Sequence, residues 1–123
     1  MKACAICGRV PAESHHIVFR SQNKPMIKAP INHIYLCPKH HRETNGVHGK
    51  EGHKLDMQLK LQLQKKLFEL FDKDYYSKKD IKELLGISNK DVDMLTKMLK
   101  HYPRGYKRVD IVRNCMGGML YAN

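Results

Sequence analysis

The sequence contains no apolar run long enough to cross a membrane or to act as a secretory signal. Residues 1–4 are not an apolar stretch, and no later segment approaches the roughly 20 apolar residues of a membrane span. Internal repeats and low-complexity tails are also absent. We therefore expect a cytoplasmic protein with no membrane partner. In that reducing setting, cysteines at ligand spacing favour metal binding over disulfides.

Acidic residues are scarce at the start of the chain. Residues 1–54 carry three acids against nine Lys and Arg, residues 55–75 balance, and residues 76–123 carry ten basic residues against five acids. The formal net charge is +11. Basic surface at both ends suits a polyanion such as DNA, bound with an affinity that falls as salt rises, although a solubilising surface has the same composition.

Large apolar side chains are few before Leu55, where aliphatic periodicity begins. The length of 123 residues would fit one domain, but this change in composition predicts two modules, residues 1–54 and 55–123. A module of about 50 residues with a small core often needs a structural metal. Seven of the eight histidines and three of the four cysteines lie in the first 53 residues.

Two pairs of residues at Cys-x-x-Cys/His spacing predict that metal. Gly8 follows the first pair and lets the backbone turn around an ion, and 29 residues separate the two pairs. Cys115 has no partner at such spacing and is interpreted as a small apolar residue. The predicted structural zinc ligands are Cys4, Cys7, Cys37 and His40.

Histidines also occur in adjacent pairs. His15 and His16 begin a β-branched and aromatic segment, residues 14–19, that predicts a strand, so their rings point to opposite faces. Residues 31–36 predict a second strand, and a short helix through residue 45, ended by Gly46, follows. Adjacent histidines on a helix diverge by about 100°, so His40 can face the zinc while His41 faces the first strand. The pattern predicts strand, strand and helix around one cleft.

These residues resemble a known family. A histidine pair, then Asn32 five residues before a Cys-x-x-His-His, and a further ligand downstream are similar to the HNH endonucleases of the zinc-knuckle subtype, including small HNH proteins often encoded by bacteriophages. The resemblance covers roughly residues 3–50. It implies the ββα-metal fold, metal-dependent hydrolysis of DNA, and the cytoplasm of a bacterium or of a phage-infected host.

The resemblance also implies individual roles. His15 and His41 would bind the catalytic divalent metal, His16 would be the general base, and Asn32 would orient the geometry around that base. Two positions depart from the family pattern: His40 stands where cysteine is frequent, and His15 where an acid is frequent. Imidazole ligands suit Mn²⁺, Ni²⁺ or Zn²⁺ better than Mg²⁺, although all four stay candidates.

The last ligand of the catalytic metal is either His48 or Asn45. The family commonly places it four residues after the helix histidine, at Asn45, but His48 is the better donor. On a continuous helix His41 and His48 would stand about 10 Å apart, and a break at Gly46 would fold His48 back. We favour His48, while Asn45 is also suited to end the helix.

The second module predicts a helix over residues 55–71, then a helix from a Ser77 cap through Leu85, and another over residues 91–100 that buries Met98 among other apolar residues. Residues 105–113 alternate apolar and basic positions, as in a hairpin strand or wing. The two helices around Gly86 resemble a helix-turn-helix, with a plain helical hairpin as the alternative. The predicted architecture is α+β.

We therefore expect a metal-dependent HNH endonuclease with DNA as its partner. The alternatives are a zinc-stabilised DNA-binding or regulatory protein without nuclease activity, and a branched-DNA nuclease of phage recombination. The sequence does not decide the oligomeric state. The predicted DNA-binding residues are Arg20, Lys24, Lys28, Arg42, Asn89 and Lys90.

Overall fold

A computed structural model describes residues 2–122 of the chain. The protein is a mixed α+β structure, which confirms the predicted class. Two short 3-10 turns, Lys24–Met26 and Pro30–Asn32, lie between the first two strands. The helices and strands are, in order, β1 (Glu13–His16), β2 (His33–Leu36), α1 (Pro38–His41), α2 (His53–Leu70), β3 (Tyr75–Tyr76), α3 (Lys78–Leu85), α4 (Asn89–Thr96), β4 (His101–Tyr102), β5 (Gly105–Lys107) and α5 (Arg108–Cys115).

β1 and β2 form an antiparallel pair in which His16 lies opposite His33. β1 ends at His16 and not at residue 19 as predicted, because the Asn32 side chain takes the place of backbone hydrogen bonds between the strands there. The Val18 N–H donates to Oδ1 of Asn32 (2.8 Å), and Nδ2 of Asn32 donates to the Val18 carbonyl (3.1 Å). β2 begins two residues later than predicted, since Pro30 opens a 3-10 turn.

α2 supplies the main apolar stripe of the second half. Leu59, Leu63 and Leu67 are buried on it, and Phe71 just beyond its end is fully buried. This stripe packs toward α5. Within residues 2–122, no helix combines the length and apolar character that a membrane crossing needs.

α3 and α4 begin at serine caps. The Ser77 hydroxyl, as predicted, and the Ser88 hydroxyl each accept a backbone N–H three residues later, at 3.1 Å. The prediction that α4 runs through residue 100 was wrong, because the helix ends at Thr96. The Thr96 hydroxyl donates to the carbonyl four residues earlier (2.8 Å), a contact that favours a helix end or bend. Met98, predicted to be buried, is 85% exposed.

The predicted strand over residues 105–113 was wrong beyond Lys107. β5 lies between β3 and β4 in a three-stranded sheet, and the chain then enters α5. Ile111, Val112 and Cys115 are fully buried at helical spacing, so packing overrides the strand preference of the β-branched residues. The Arg108 side chain fixes the start of α5 by donating to the Phe68 carbonyl at 2.7 Å.

Buried apolar residues from both halves of the chain form one contiguous core. α4 packs against the 3-10 turn Lys24–Met26. Asn23 Nδ2 also crosses between the halves, donating to the carbonyls of Asn114 (2.7 Å) and Cys115 (3.1 Å). The proposed boundary after residue 54 falls within α2, and the division into two modules stays a prediction.

Candidate functional site

The first candidate centre is a cluster of three thiols and one imidazole. Cys4 and Cys7 lie on a tight turn closed by Gly8, whose φ of 75° is the left-handed conformation that glycine adopts without strain. This turn is attached to β2, because the Ala5 N–H donates to the Tyr35 carbonyl (2.8 Å). The remaining two members of the cluster sit just before α1 and on it. The ligand atoms of Cys4, Cys7, Cys37 and His40 all lie within 4.8 Å of one another.

The distances in this cluster are those of a tetrahedral metal site. Ligands about 2.3 Å (sulfur) and about 2.0 Å (nitrogen) from an ion stand about 3.8 Å (S to S) and about 3.5 Å (S to N) apart in a tetrahedron. The Sγ atoms of Cys7 and Cys37 are 3.7 Å apart. Nδ1 of His40 lies 3.6 Å from Cys4 Sγ and 3.3 Å from Cys37 Sγ. The residues therefore fit a structural metal, and zinc stays the predicted ion.

The surroundings of Cys4 favour its thiolate. Burial opposes the charged form, but hydrogen bonds outweigh it, and the pKa of Cys4 falls to about 6. The contacts that lower the pKa are hydrogen bonds with the backbone N–H groups of Cys37, Cys7 and Ile6 and the side-chain contact with His40. A thiolate at neutral pH is the form that binds metal. By contrast, full burial raises the pKa of Cys115 to about 12, as befits the small apolar residue predicted from its isolation.

A second cluster consists of three histidines. Ring centroids are 5.1 Å apart for His15 and His41, 5.0 Å for His15 and His48, and 4.8 Å for His41 and His48. One ring nitrogen from each lies within 4.8 Å of the others. Nε2 of His15 is buried with no hydrogen-bond partner among the described residues. A buried polar atom without a partner is costly, and a metal ion in this cluster would satisfy it.

His48 reaches the cluster because the chain folds back onto α1. This helix ends at His41, not at residue 45 as predicted, and the following residues turn tightly. The His48 N–H then donates to the His41 carbonyl (3.0 Å). Gly49 and Gly52 allow the turn, since a Cβ on either would collide with backbone carbonyl oxygens of residues 43–46. Asn45, the alternative ligand, is exposed and lines a separate cavity beside Lys39.

The electrostatics of this cluster keep its rings neutral. Burial, followed by the neighbouring histidines, lowers the pKa of His15 to about 3. Burial also lowers the pKa of His41 and is the largest of the effects that lower the pKa of His48. Neutral imidazole is the metal-binding form. The three side chains therefore fit a divalent cation at neutral pH.

A carboxylate that the sequence analysis missed lies behind His41. Glu13 Oε1 is 3.4 Å from Nδ1 of His41, and the same carboxylate pairs with Arg42. A carboxylate on one ring nitrogen fixes the tautomer and leaves the other nitrogen for a metal. Glu13 stands two residues before His15, on the same face of β1, and period-two spacing could have identified it.

A buried ion pair adjoins the same histidines. Nζ of Lys60 lies 2.9 Å from Oδ2 of Asp56, and both residues are buried. Lys60 Nζ is also 4.1 Å from the ring centroid of Phe19, whose ring lies 5.1 Å from that of His48. The charges act on His48, because Asp56 raises its pKa and Lys60 lowers it. Asp56 and Lys60 lie on the same face of α2 as its buried leucines. Charged residues are unusual on such a face, so the helical pattern of the sequence could have identified them.

His16 occupies the other face of β1 and still borders the cavity. Its Nε2 lies 3.1 Å from the Ile27 carbonyl, which can only accept, so Nε2 carries the proton and Nδ1 holds a free lone pair. Burial, followed by the charges of His33 and Arg20, lowers the pKa of His16. His33, a cross-strand partner that the sequence analysis also missed, contacts the same carbonyl.

Asn32 holds this arrangement through hydrogen bonds to the backbone and not through a side-chain hydrogen bond to His16. It is fully buried, and besides its bonds to Val18 its Nδ2 donates to the Met26 carbonyl (3.0 Å). Met26 is adjacent to Ile27, whose carbonyl receives the His16 ring. Asn32 therefore positions the backbone that orients His16.

The histidines open into a cavity of about 480 Å³. A groove of about 770 Å³ lies beside it, and Arg20 and Ser21 line both. Of the predicted DNA-binding residues, the groove brings together Arg20, Lys24, Lys28 and Lys90. Asn89 is exposed at the start of α4, next to a groove residue. Arg42 lies elsewhere, in the separate cavity that contains Asn45.

Comparisons of the chain with protein-family models, with curated proteins and with solved structures find no match. The function is therefore argued from the site itself.

Proposed function

We propose that the protein is a metal-dependent endonuclease of the HNH type that hydrolyses DNA phosphodiester bonds. The observation that carries this proposal is the convergence of three neutral histidines on one point of a cavity that His16 also lines. The arrangement of β1, β2 and α1 near that cavity, together with a cysteine cluster that has the geometry of a metal site, supports a ββα-metal module. A binding protein alone would not need both the ligand set and a separate free imidazole.

His16 is suited to the role of general base. Its protonated Nε2 is held by the Ile27 carbonyl, and Nδ1 is left to take a proton from water as the water attacks phosphorus. The lowered pKa keeps the ring neutral at pH 7. A divalent cation held by His15, His41 and His48 would neutralise charge on the phosphate and on the leaving 3′-oxygen. Arg20, between cavity and groove, is placed to bind a neighbouring phosphate.

The basic groove supports DNA as the substrate. Its four cations come from residues 20–28 and from α4, so a strand lying in it would cross both halves of the chain and pass into the cavity. The formal charge of +11 adds long-range attraction for a polyanion. The α3–Gly86–α4 segment, with Asn89 and Lys90 at the front of α4, is compatible with a helix-turn-helix contact in this groove.

Nicking of supercoiled plasmid tests the proposal. The protein is incubated with Mn²⁺, Ni²⁺, Zn²⁺ or Mg²⁺, beside His16→Ala and the matched control His53→Ala, which removes an exposed histidine outside the cavity. We expect nicking by the parent and by the control, and a loss of about 10²-fold or more in His16→Ala. Undiminished nicking by His16→Ala would refute the assigned base. Absence of nicking with every metal, with DNA binding retained, would favour a zinc-stabilised binding protein.

A further inference from the structure

A second basic surface lies on the hairpin formed by β4 and β5, away from the histidine cavity. Residues 94–109 contain no acid and five Lys or Arg residues. Four of these cations are exposed, and three of the four, Lys100, Arg104 and Lys107, lie on or next to the hairpin. None of the three forms an ion pair with a carboxylate of residues 2–122. Their charge is therefore available to a partner.

The strand register divides the side chains of this sheet between two faces. Tyr75 lies opposite Lys107, and Tyr102 opposite Gly105, so these side chains share a face because β5 residues two apart point the same way. On the other face, Tyr76 is buried, with its ring centroid 5.2 Å from that of Phe71. The rings of Tyr75 and Tyr102 are half-buried and stand 5.9 Å apart.

The cations are arranged around these two rings. Nζ of Lys100 and Nζ of Lys107 lie 4.8 Å and 5.2 Å from the centroid of Tyr102. Cζ of Arg104 lies 5.0 Å from the centroid of Tyr75. Cation–π contacts of this kind hold the long cationic side chains in place and leave their charged groups accessible to solvent. Aromatic rings interleaved with cations are the combination that single-stranded nucleic acid uses, with bases on the rings and phosphates on the cations.

We propose that this hairpin face, made of Tyr75, Lys100, Tyr102, Arg104 and Lys107, binds an unpaired nucleic-acid strand. On binding, the three cations leave the ring faces to contact phosphates, and bases stack on the two tyrosine rings in their place. This contact is independent of the proposed hydrolysis, because no hairpin-face residue lines the histidine cavity or the basic groove.

Fluorescence anisotropy without added divalent metal tests the phosphate contacts. The probe is a labelled DNA single strand of about 30 nucleotides, longer than one binding site of ~4–16 nucleotides. We compare Lys100→Gln/Arg104→Gln/Lys107→Gln with a control of equal charge, Lys54→Gln/Lys65→Gln/Lys66→Gln, which alters exposed lysines of α2.

At about 0.15 M salt the hairpin variant should bind roughly 10- to 50-fold more weakly than the control, and the slope of log affinity against log salt should shrink by about 2. Equal affinities of the hairpin variant and the control would overturn the proposal. Displacement of the strand from the parent by polyglutamate at the same charge concentration would also overturn it, and would assign the face to an acidic protein.

The stacking contacts are tested by a second variant, Tyr75→Leu/Tyr102→Leu, with Tyr75→Phe/Tyr102→Phe as its control. Because one stacked base contributes at least about a fivefold change in affinity, the leucine variant should bind the single strand at least fivefold more weakly, while the phenylalanine variant stays at the parental level. A duplex of the same length should lose less. An equal loss for single strand and duplex would refute the stacking role.

Discussion

The choice between His48 and Asn45 as metal ligand can be decided without any nuclease assay. The structure gathers His15, His41 and His48 as neutral rings, whereas Asn45 lies in another cavity. A cation that binds only the folded chain stabilises it by RT ln(1 + [L]/Kd), which is about 2.7 kcal/mol at a hundredfold excess over Kd. Replacing His48 by alanine should remove most of that increment, and replacing Asn45 should not.

The expected size follows from the chain length. At about 2.1 cal/mol/K per residue, unfolding 123 residues has an entropy of roughly 0.26 kcal/mol/K, so about 2.7 kcal/mol raises the melting temperature by ~10 °C. Removing a residue that hydrogen-bonds a metal ligand weakens metal binding by up to about 100-fold, and we expect removal of the ligand itself to weaken metal binding at least as much. At the same metal concentration the increment for His48→Ala then falls to about 0.4 kcal/mol, or ~2 °C.

Circular dichroism melting curves with and without Ni²⁺, recorded with no chelator so that the cysteine cluster keeps its metal, measure these increments. Each variant is compared with itself, which removes any effect of the substitution on the metal-free protein. We expect ~10 °C for the parent and for Asn45→Ala, and ~2 °C for His48→Ala. A full increment in His48→Ala together with a lost increment in Asn45→Ala would show that the ligand assignment is reversed.

Three further outcomes are expected. Cys37→Ser should contain one equivalent of metal less than the parent, as measured by mass spectrometry, and should be less stable by several kcal/mol. An unchanged metal content would rule out the cysteine cluster as a metal site. Burial lowers the pKa of His15 from its ordinary value of 6.5 to about 3, so His15 alone should cost about 2 kcal/mol of stability between pH 7 and pH 5 in urea titrations. His15→Gln should have a shallower slope, and the lowered pKa values of His16, His41 and His48 account for what remains; a slope as steep as that of the parent would contradict this. Asp56→Ala should lower the free energy of unfolding by about 3–5 kcal/mol, because it leaves the Lys60 ammonium buried without a partner. The double variant Asp56→Ala/Lys60→Met should recover most of that stability, and a double variant as unstable as Asp56→Ala would contradict this.

Local spacing explains why much of the site was predictable. The separation of the rings of His15 and His16 follows from strand geometry, and Cys37 and His40 converge because one helical turn lies between them. The serine cap at Ser77 is likewise a local signal. In these cases a few neighbouring residues determine the geometry, so no knowledge of the remaining fold is needed.

Features that depend on distant contacts were not predictable in the same way. Asp56 and Lys60 approach the histidines only because α2 packs beside Phe19. The helical periodicity of the sequence predicts that one face of α2 is buried, but not which residues it packs against. Similarly, the β-branched residues of α5 favour a strand by propensity, and burial against α2 decides for a helix. Met98 is exposed because α4 stops one turn early, a boundary that periodicity does not fix.

Two neighbouring residues of α1 serve different clusters: His40 faces the cysteines, and His41 faces His15 and His48. The carbonyls of these two residues also accept the N–H groups of Val47 and His48, both at 3.0 Å. One short helix thus couples the two centres mechanically. We expect oxidation of the thiols by peroxide to displace α1 and to separate His41 from His15 and His48, so that an oxidising agent would prevent metal binding by these three histidines without reacting with any of them.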